Sequence, residues 1–228
     1  MASNLLKIKA KNMIITFATQ KGGAGKTTLA IAFANYISSL SERKLNVFDF
    51  DFQKSFYYKW KEDEGSDLPK IYDVEIIDSD QEKPFSDFET LIELKESEDI
   101  NLFDLAGTLD EKYSDLLIYS DIIVIPFEYS DVSSKSTLVF INLLGMIESQ
   151  AERVFIRSKY DKSYKYLNQE GMDGVIDQFG LILKDPVYKR NCLQTIDTRK
   201  LTYEQRYAVK NPFNQLIEHI NETLQITL

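Results

Sequence analysis

The chain has 228 residues, 43% hydrophobic and 12% aromatic, with a formal net charge of −9 at pH 7. So apolar a composition excludes a disordered chain and suits one domain with a sizeable core, while the negative balance argues against a surface that binds nucleic acid all over. The single cysteine, Cys192, can form no internal disulfide and no cysteine metal site or iron–sulfur cluster on its own.

Residues 1–12 carry basic side chains but no apolar run after them of the signal-peptide kind. They read as a flexible tail, with the folded domain expected over 13–228. No stretch approaches eighteen consecutive apolar residues, so no membrane span is expected and the compartment expected is the cytoplasm. Met13–Thr19 is short, apolar and β-branched, the pattern of a buried strand. A glycine-rich turn, Gln20–Thr28, follows, and then an Ala-rich helix to Ile37 that is apolar nearly all round. After a polar turn at Ser41–Lys44, Leu45–Asp49 reads as a second strand ending in acids. Gln53–Glu64 suits a helix with Trp60 as a core anchor, Ile71–Ile77 a strand, and Phe85–Glu96 a helix with Phe85, Phe88, Leu91 and Ile92 on one face.

Ile100–Asp104 is a strand ending in an acid, and Asp121–Pro126 a buried strand with proline at its exit. Val132–Ser149 reads as a helix and Arg153–Ile156 as a strand. Residues 160–179 are expected helical although Gly171 and Gly174 interrupt them, Leu181–Leu183 is a short strand, and the last helix is expected over Asn211–Gln225. That helix places Phe213, Leu216, Ile217, Ile220 and Leu224 on one face and Glu218 and Glu222 on the other. No lysine or arginine follows Lys210, whereas an interfacial helix wants basic residues on its polar face; the stripe is expected to pack in the core. Alternating strands and helices imply an α/β fold, a mostly parallel twisted sheet with helices on both faces.

Strand, glycine turn and helix stand in the order a phosphate cradle needs. Gly22, Gly23 and Gly25 allow a tight bend whose N–H groups turn inward, and the helix opening near Lys26 aims its positive end at the same place. Lys26 would supply a cation to the β- and γ-phosphates and Thr27 a hydroxyl to magnesium. The candidate ATP/ADP contacts are therefore Lys21, Gly22, Gly23, Ala24, Gly25, Lys26, Thr27 and Thr28. The usual pattern is G-x-x-x-x-G-K-[ST]; here Gln20 replaces its first glycine and a second lysine, Lys21, stands just inside.

The run Lys-Gly-Gly-Ala-Gly-Lys-Thr-Thr resembles the deviant Walker A motif of the ParA/MinD family, and so implies a single-domain P-loop NTPase fold. In that family the extra lysine reaches the nucleotide of the partner subunit, so Lys21 is implied to act across an ATP-held homodimer. Asp49-Phe50-Asp51-Phe52-Gln53 is similar to the family's D-x-D-P-Q segment, with Phe52 in place of proline. By that resemblance Asp51 positions the attacking water and Asp49 supports the magnesium shell. Asp104, followed by Leu105-Ala106-Gly107, looks like a Walker B acid and a switch glycine. The implied catalytic set is Lys21, Lys26 and Asp51, and the Mg2+ set Thr27, Asp49 and Asp104. The family binds adenine near the exit of a later strand, roughly where Arg157–Lys159 stand. His219, the only histidine, is expected exposed.

Three functions fit the resemblance. The first is a slow ATPase whose ATP-bound dimers bind DNA without sequence preference and partition plasmid or chromosomal DNA, stimulated by a ParB-like centromere-binding activator and associated with the nucleoid. Its candidate DNA surface is 184–210, with seven basic residues against three acidic, Arg199 and Lys200 foremost. The second is a nucleotide-gated protein-binding scaffold or regulator, for instance in conjugation, using the acidic 61–99 region. The third is a MinD-like membrane-positioning ATPase, which the acidic final helix disfavours; no membrane partner is expected.

Overall fold

A computed structural model describes residues 13–77, 88–108, 110–226 and 228. The expected tail over 1–12 and Phe85 lie outside the described residues, as does the side chain of Phe88. Seven strands form one parallel sheet in the order β3-β2-β4-β1-β5-β6-β7: β1 (Met13–Phe17), β2 (Leu45–Phe50), β3 (Asp73–Ile76), β4 (Ile100–Leu105), β5 (Ile122–Phe127), β6 (Glu152–Arg157) and β7 (Leu181–Ile182). The helices are α1 (Lys26–Ser38), α2 (Ser55–Glu62), α3 (Phe88–Glu96), α4 (Ser114–Tyr119), α5 (Asp131–Met146), α6 (Gln169–Ile176) and α7 (Tyr203–Leu224).

Side chains alternate across the pleat of a strand, and β1 shows what that does here. Met13, Ile15 and Phe17 face a core shared with α1, α2 and α7; Ile14 faces a second core shared with α3, α4, α5 and α6. The sheet is covered on both faces, so β1, β4 and β5 at its centre are buried along their whole length. The stripe Phe213, Leu216, Ile220 and Leu224 lies in the first core, with Ile217 packed against it. No described helix is long and apolar enough to cross a membrane.

Pro126 lies inside β5, not at its exit. Ala18 N donates to Val124 O at 3.0 Å and Ser158 N to Phe127 O at 2.8 Å, so even-numbered residues of β5 face β1 and odd-numbered ones β6. Pro126 therefore turns its missing donor toward β1, beyond the last β1–β5 pair, Phe17 with Val124. It costs no ladder bond because β1 has already left the sheet for the glycine bend.

The short helix α4 is not among the expected elements, and two expected helices differ in extent. The last begins at Tyr203, well before Asn211, and carries Pro212 in its interior. A capping box fixes that start: Thr202 accepts from Gln205 N, and Gln205 returns a bond to the Thr202 backbone N. Buried Val209 and Phe213 hold the helix on either side of the proline. Over 160–179 only Gln169–Ile176 is helical. Asp161 Oδ1 accepts from Ser163 N at 2.9 Å, closing a turn, and Tyr129, Tyr160, Tyr164 and Tyr166 cluster with neighbouring ring centroids 4.9–6.1 Å apart.

Candidate functional site

In a parallel sheet the crevice for ligands opens beyond the carboxyl ends of the strands. There the chain leaves β1, bends through Gly23 (φ 83°) and Gly25 (φ 79°), both left-handed, and enters α1 at Lys26. Gly22 does not need a left-handed conformation. Gly107 is a glycine for a different reason: a Cβ there would stand 3.2 Å from the Gly22 nitrogen and 3.3 Å from the Lys21 carbonyl carbon. The loop after β4 thus lies backbone against backbone on the glycine bend.

The register of the parallel strands sets Asp104 of β4 beside both Phe17 of β1 and Asp49 of β2. Lys26 Nζ donates to Asp104 Oδ1 at 2.6 Å, lies 3.6 Å from Asp51 Oδ2 and 3.5 Å from the Thr27 hydroxyl. One cleft of about 570 Å³ is lined by Lys21, Gly22, Gly23, Gly25, Lys26, Thr27, Thr28, Asp51, Phe52, Gln53 and Gly107, among others. The three sequence motifs therefore meet at one place. Ala24 packs beneath them, almost fully buried.

Asp49 departs from the expectation that it presents an oxygen to a metal shell. It is fully buried; Oδ1 accepts from Asp51 N at 3.0 Å and Oδ2 from Tyr57 N at 2.9 Å. Its carboxylate ties the Asp51 loop and the start of α2 to the end of β2. Asp51 itself accepts from Gln53 N at 2.9 Å with Oδ1 and turns Oδ2 toward Lys26. Asp104 is fully buried, and its Oδ2 has no hydrogen-bond partner among the described residues. A buried carboxylate oxygen without a partner, next to a threonine hydroxyl, is a donor set that fits a hard cation such as magnesium. Among the described residues no group of three or more His, Cys, Asp or Glu could hold a metal unaided, and a magnesium ion brought by phosphates needs only one or two protein ligands.

Burial, and after it the Asp104 charge, pushes the Asp49 carboxyl up to about 6; the two amides and Lys26 pull the other way. Burial likewise raises Asp104, against the opposing pull of Lys26. A raised carboxyl contributes stability that is complete below its unfolded value and is lost as pH rises through its folded one. For Asp49 that window runs from 3.8 to about 6. A carboxyl-13C titration of the nucleotide-free chain should place the Asp49 midpoint near 6. A midpoint at the ordinary aspartate value would show that Asp49 is not buried beside a second charged carboxylate.

Lys21 Nζ lies 3.8 Å from Glu128 Oε2 and 3.4 Å from Ser130 Oγ. The same Glu128 lies 3.6 Å from Lys159 Nζ through Oε1. Arg157 points away from the bend: it binds Asp173 at 2.9 Å, Tyr129 OH at 2.6 Å and the Leu183 carbonyl. Ser158 and Lys159 instead join Gly25, Thr28, Leu29, Val187, Tyr188, Lys189, Arg190, Leu193 and Gln194 around a second cleft of about 260 Å³. Glu128 was missed in sequence, although it stands at the end of a buried strand, as Asp51 and Asp104 do.

The basic segment 184–210 does not form one surface. Arg199 is only 5% exposed. Its guanidinium lies 5.6 Å over the Trp60 ring and donates to the Asp63 and Trp60 carbonyls; it joins the loop before α7 to α2 and is not a surface contact. Lys189 and Arg190 line the second cleft. Lys184, Lys189, Arg190, Lys200 and Lys210 are exposed, as are Tyr203 and Tyr207. His219 is half-buried, 3.8 Å from Glu152.

A strand, a glycine bend and a helix at the centre of a parallel sheet, with acids at the ends of the two flanking strands, define a P-loop nucleotide-binding fold. The family model described as the CobQ/CobB/MinD/ParA nucleotide binding domain matches residues 15–202. The chain belongs to that family. Among curated proteins none matches the sequence significantly. A Borrelia burgdorferi B31 protein assigned to plasmid partition, bound to AMPPNP, superposes with a TM-score of 0.70 at 17% identity, covering 92% of this chain and all of the other. MinD in the Aquifex aeolicus MinC:MinD complex gives 0.64 at 14%, covering 90% and 96%. The pNOB8 ParA protein bound to nonspecific DNA gives 0.65 at 13%, covering 94% and 99%. At these identities the likeness is one of fold.

Proposed function

We propose that this chain is a magnesium-dependent ATPase that pairs with a second copy around ATP and, so paired, holds DNA without sequence preference to partition a plasmid or chromosomal cargo. The observation that carries the reading is Lys26, buried on Asp104 at 2.6 Å directly beneath a glycine bend and at the first turn of α1. A polyphosphate entering that bend meets backbone N–H groups, the positive end of a helix and an ammonium group together. Thr27 and Asp104 would hold magnesium, which supplies charge neutralisation on the phosphate oxygens. Asp51 orients the attacking water, and Asp49 fixes the loop from which Asp51 acts. Little covalent work is required of the protein, and positioning carries the chemistry.

The base occupies the second cleft, against Leu29, Val187 and Leu193. Lys21 leaves Glu128 and Ser130 to reach the partner's phosphates. The structural relatives include a plasmid partition protein with a bound ATP analogue, a ParA on nonspecific DNA and a MinD protein, so the partition reading is one of the family roles that this fold accommodates. Basal turnover is slow, and a ParB-like centromere-binding protein raises it.

The test is DNA retention measured with ATP, with ADP and without nucleotide across a salt series. Retention should need ATP and fall steeply with salt. Lys21→Ala should abolish it, and Lys200→Glu with Lys210→Glu should abolish it while sparing hydrolysis. ATP turnover without DNA retention would leave the protein-binding scaffold as the function; no turnover at all would remove the ATPase reading.

A further inference from the structure

Lys159 belongs to none of the motifs, yet its backbone is left-handed, with φ 51°. The other described non-glycine residues with positive φ, Lys54, Glu148 and Gln225, stand at helix boundaries. Lys159 borders no helix. The bend is fixed from both sides: Ser158 N donates to Phe127 O at 2.8 Å, Tyr160 N to Val187 O at 3.0 Å, and Lys189 N to Tyr160 O at 3.0 Å. A side chain is held in this unfavourable conformation only where the surroundings over-determine it, and such positions cluster at functional sites.

The bend directs the lysine across the mouth of the glycine turn. It lines both clefts that meet at the turn. Its ammonium donates to the Gly23 carbonyl and lies 3.6 Å from Glu128 Oε1, while the other oxygen of Glu128 lies 3.8 Å from Lys21. One carboxylate therefore serves two ammonium groups, and that of Lys159 already touches the bend. A carbonyl is a weaker partner for an ammonium than a phosphate oxygen, so a polyphosphate in the bend outcompetes Gly23 for it.

We propose that Lys159 is a third lysine of the nucleotide site, a direct contact to the polyphosphate, held on Gly23 and Glu128 until the phosphate arrives. The proposal rests on the nucleotide reading above and goes beyond the motif residues. Glu128 is then a positioning residue: it keeps Lys159 and Lys21 near the bend and also repels the incoming anion.

The test is equilibrium binding of ADP and ATP to the full chain, with melting temperatures alongside. Loss of one charge-assisted hydrogen bond should weaken both nucleotides about tenfold in Lys159→Ala and Lys159→Gly, with a shallower salt dependence. Lys159→Gly relieves the left-handed conformation, so its melting temperature should match or exceed that of wild type while its affinity falls. Glu128→Gln should tighten ADP. Wild-type affinity in both Lys159 variants, with both nucleotides bound by the wild-type chain, would overturn the proposal and leave the nucleotide reading standing. Affinity losses matched by equal losses of melting temperature in both variants would reduce Lys159 to a structural tie and overturn it as well. A wild-type chain that binds neither nucleotide would overturn both.

Discussion

Lys26→Ala should destabilise the nucleotide-free chain by about 3–5 kcal/mol at pH 8, the cost of leaving a buried charge without its partner. Asp104 has no exposure to solvent, and among the described residues its only hydrogen-bonded cation is Lys26 at 2.6 Å. Burial already raises its pKa, and Lys26 is the main influence opposing that rise. Without the lysine the carboxyl rises further and takes up a proton more readily. The penalty should therefore shrink as pH falls and grow as it rises, the sign that belongs to a raised carboxyl.

Asp104→Asn in the same background should restore most of the lost stability, because the uncharged amide no longer needs a cation. A double-mutant cycle by urea denaturation at two pH values measures the coupling. Equal unfolding midpoints for wild type and Lys26→Ala at pH 8 would mean that the pair is solvated and that Asp104 is not the buried acid described here. The comparison also matters for nucleotide assays, since a Lys26 variant that has partly unfolded says nothing about phosphate binding.

Phe213→Ala should cost about 3–5 kcal/mol, the range for deleting a buried phenylalanine. The ring is fully buried where α7 crosses α1, edge-on to Phe33 with centroids 5.2 Å apart and to Tyr36 at 5.7 Å. Phe33 in turn meets Phe17 of β1 at 5.7 Å, so the ring completes an aromatic column from the central strand to the last helix. It follows Pro212, where α7 already lacks one backbone hydrogen bond, and packing must hold the helix at that point. Urea unfolding should show a lower midpoint with an unchanged slope. A loss under about 1 kcal/mol, typical of a surface site, would mean that α7 is not seated against α1 in solution.

What could be read from the residues in order was what short stretches determine. The apolar runs at Met13, Ile100 and Ile122 specify buried strands, and the rule that ligands sit beyond strand ends places Asp51 and Asp104 at the phosphate bend. What escaped depends on partners far along the chain. Arg199 looked like a surface cation because nothing near it announces Trp60 and Asp63 as its companions. Asp49 reads in sequence as a support of the magnesium shell, and only the loop geometry shows that two amides occupy its oxygens. The early start of α7 was hidden by Pro212, because proline argues locally against a helix that its capping box and core contacts sustain. Lys159 had no sequence signal; its importance lies in a backbone angle and in the nearness of Gly23.

Gly107 carries one further consequence. With no methyl group between them, the peptide after β4 and the peptide joining Lys21 to Gly22 act as two bearing surfaces without padding. A soft side chain at that seam would absorb small displacements; bare backbone passes them on. Whatever shifts the end of β4 by a few tenths of an ångström must therefore move the root of Lys21, so this glycine gears one loop to the other through an atom it does not have.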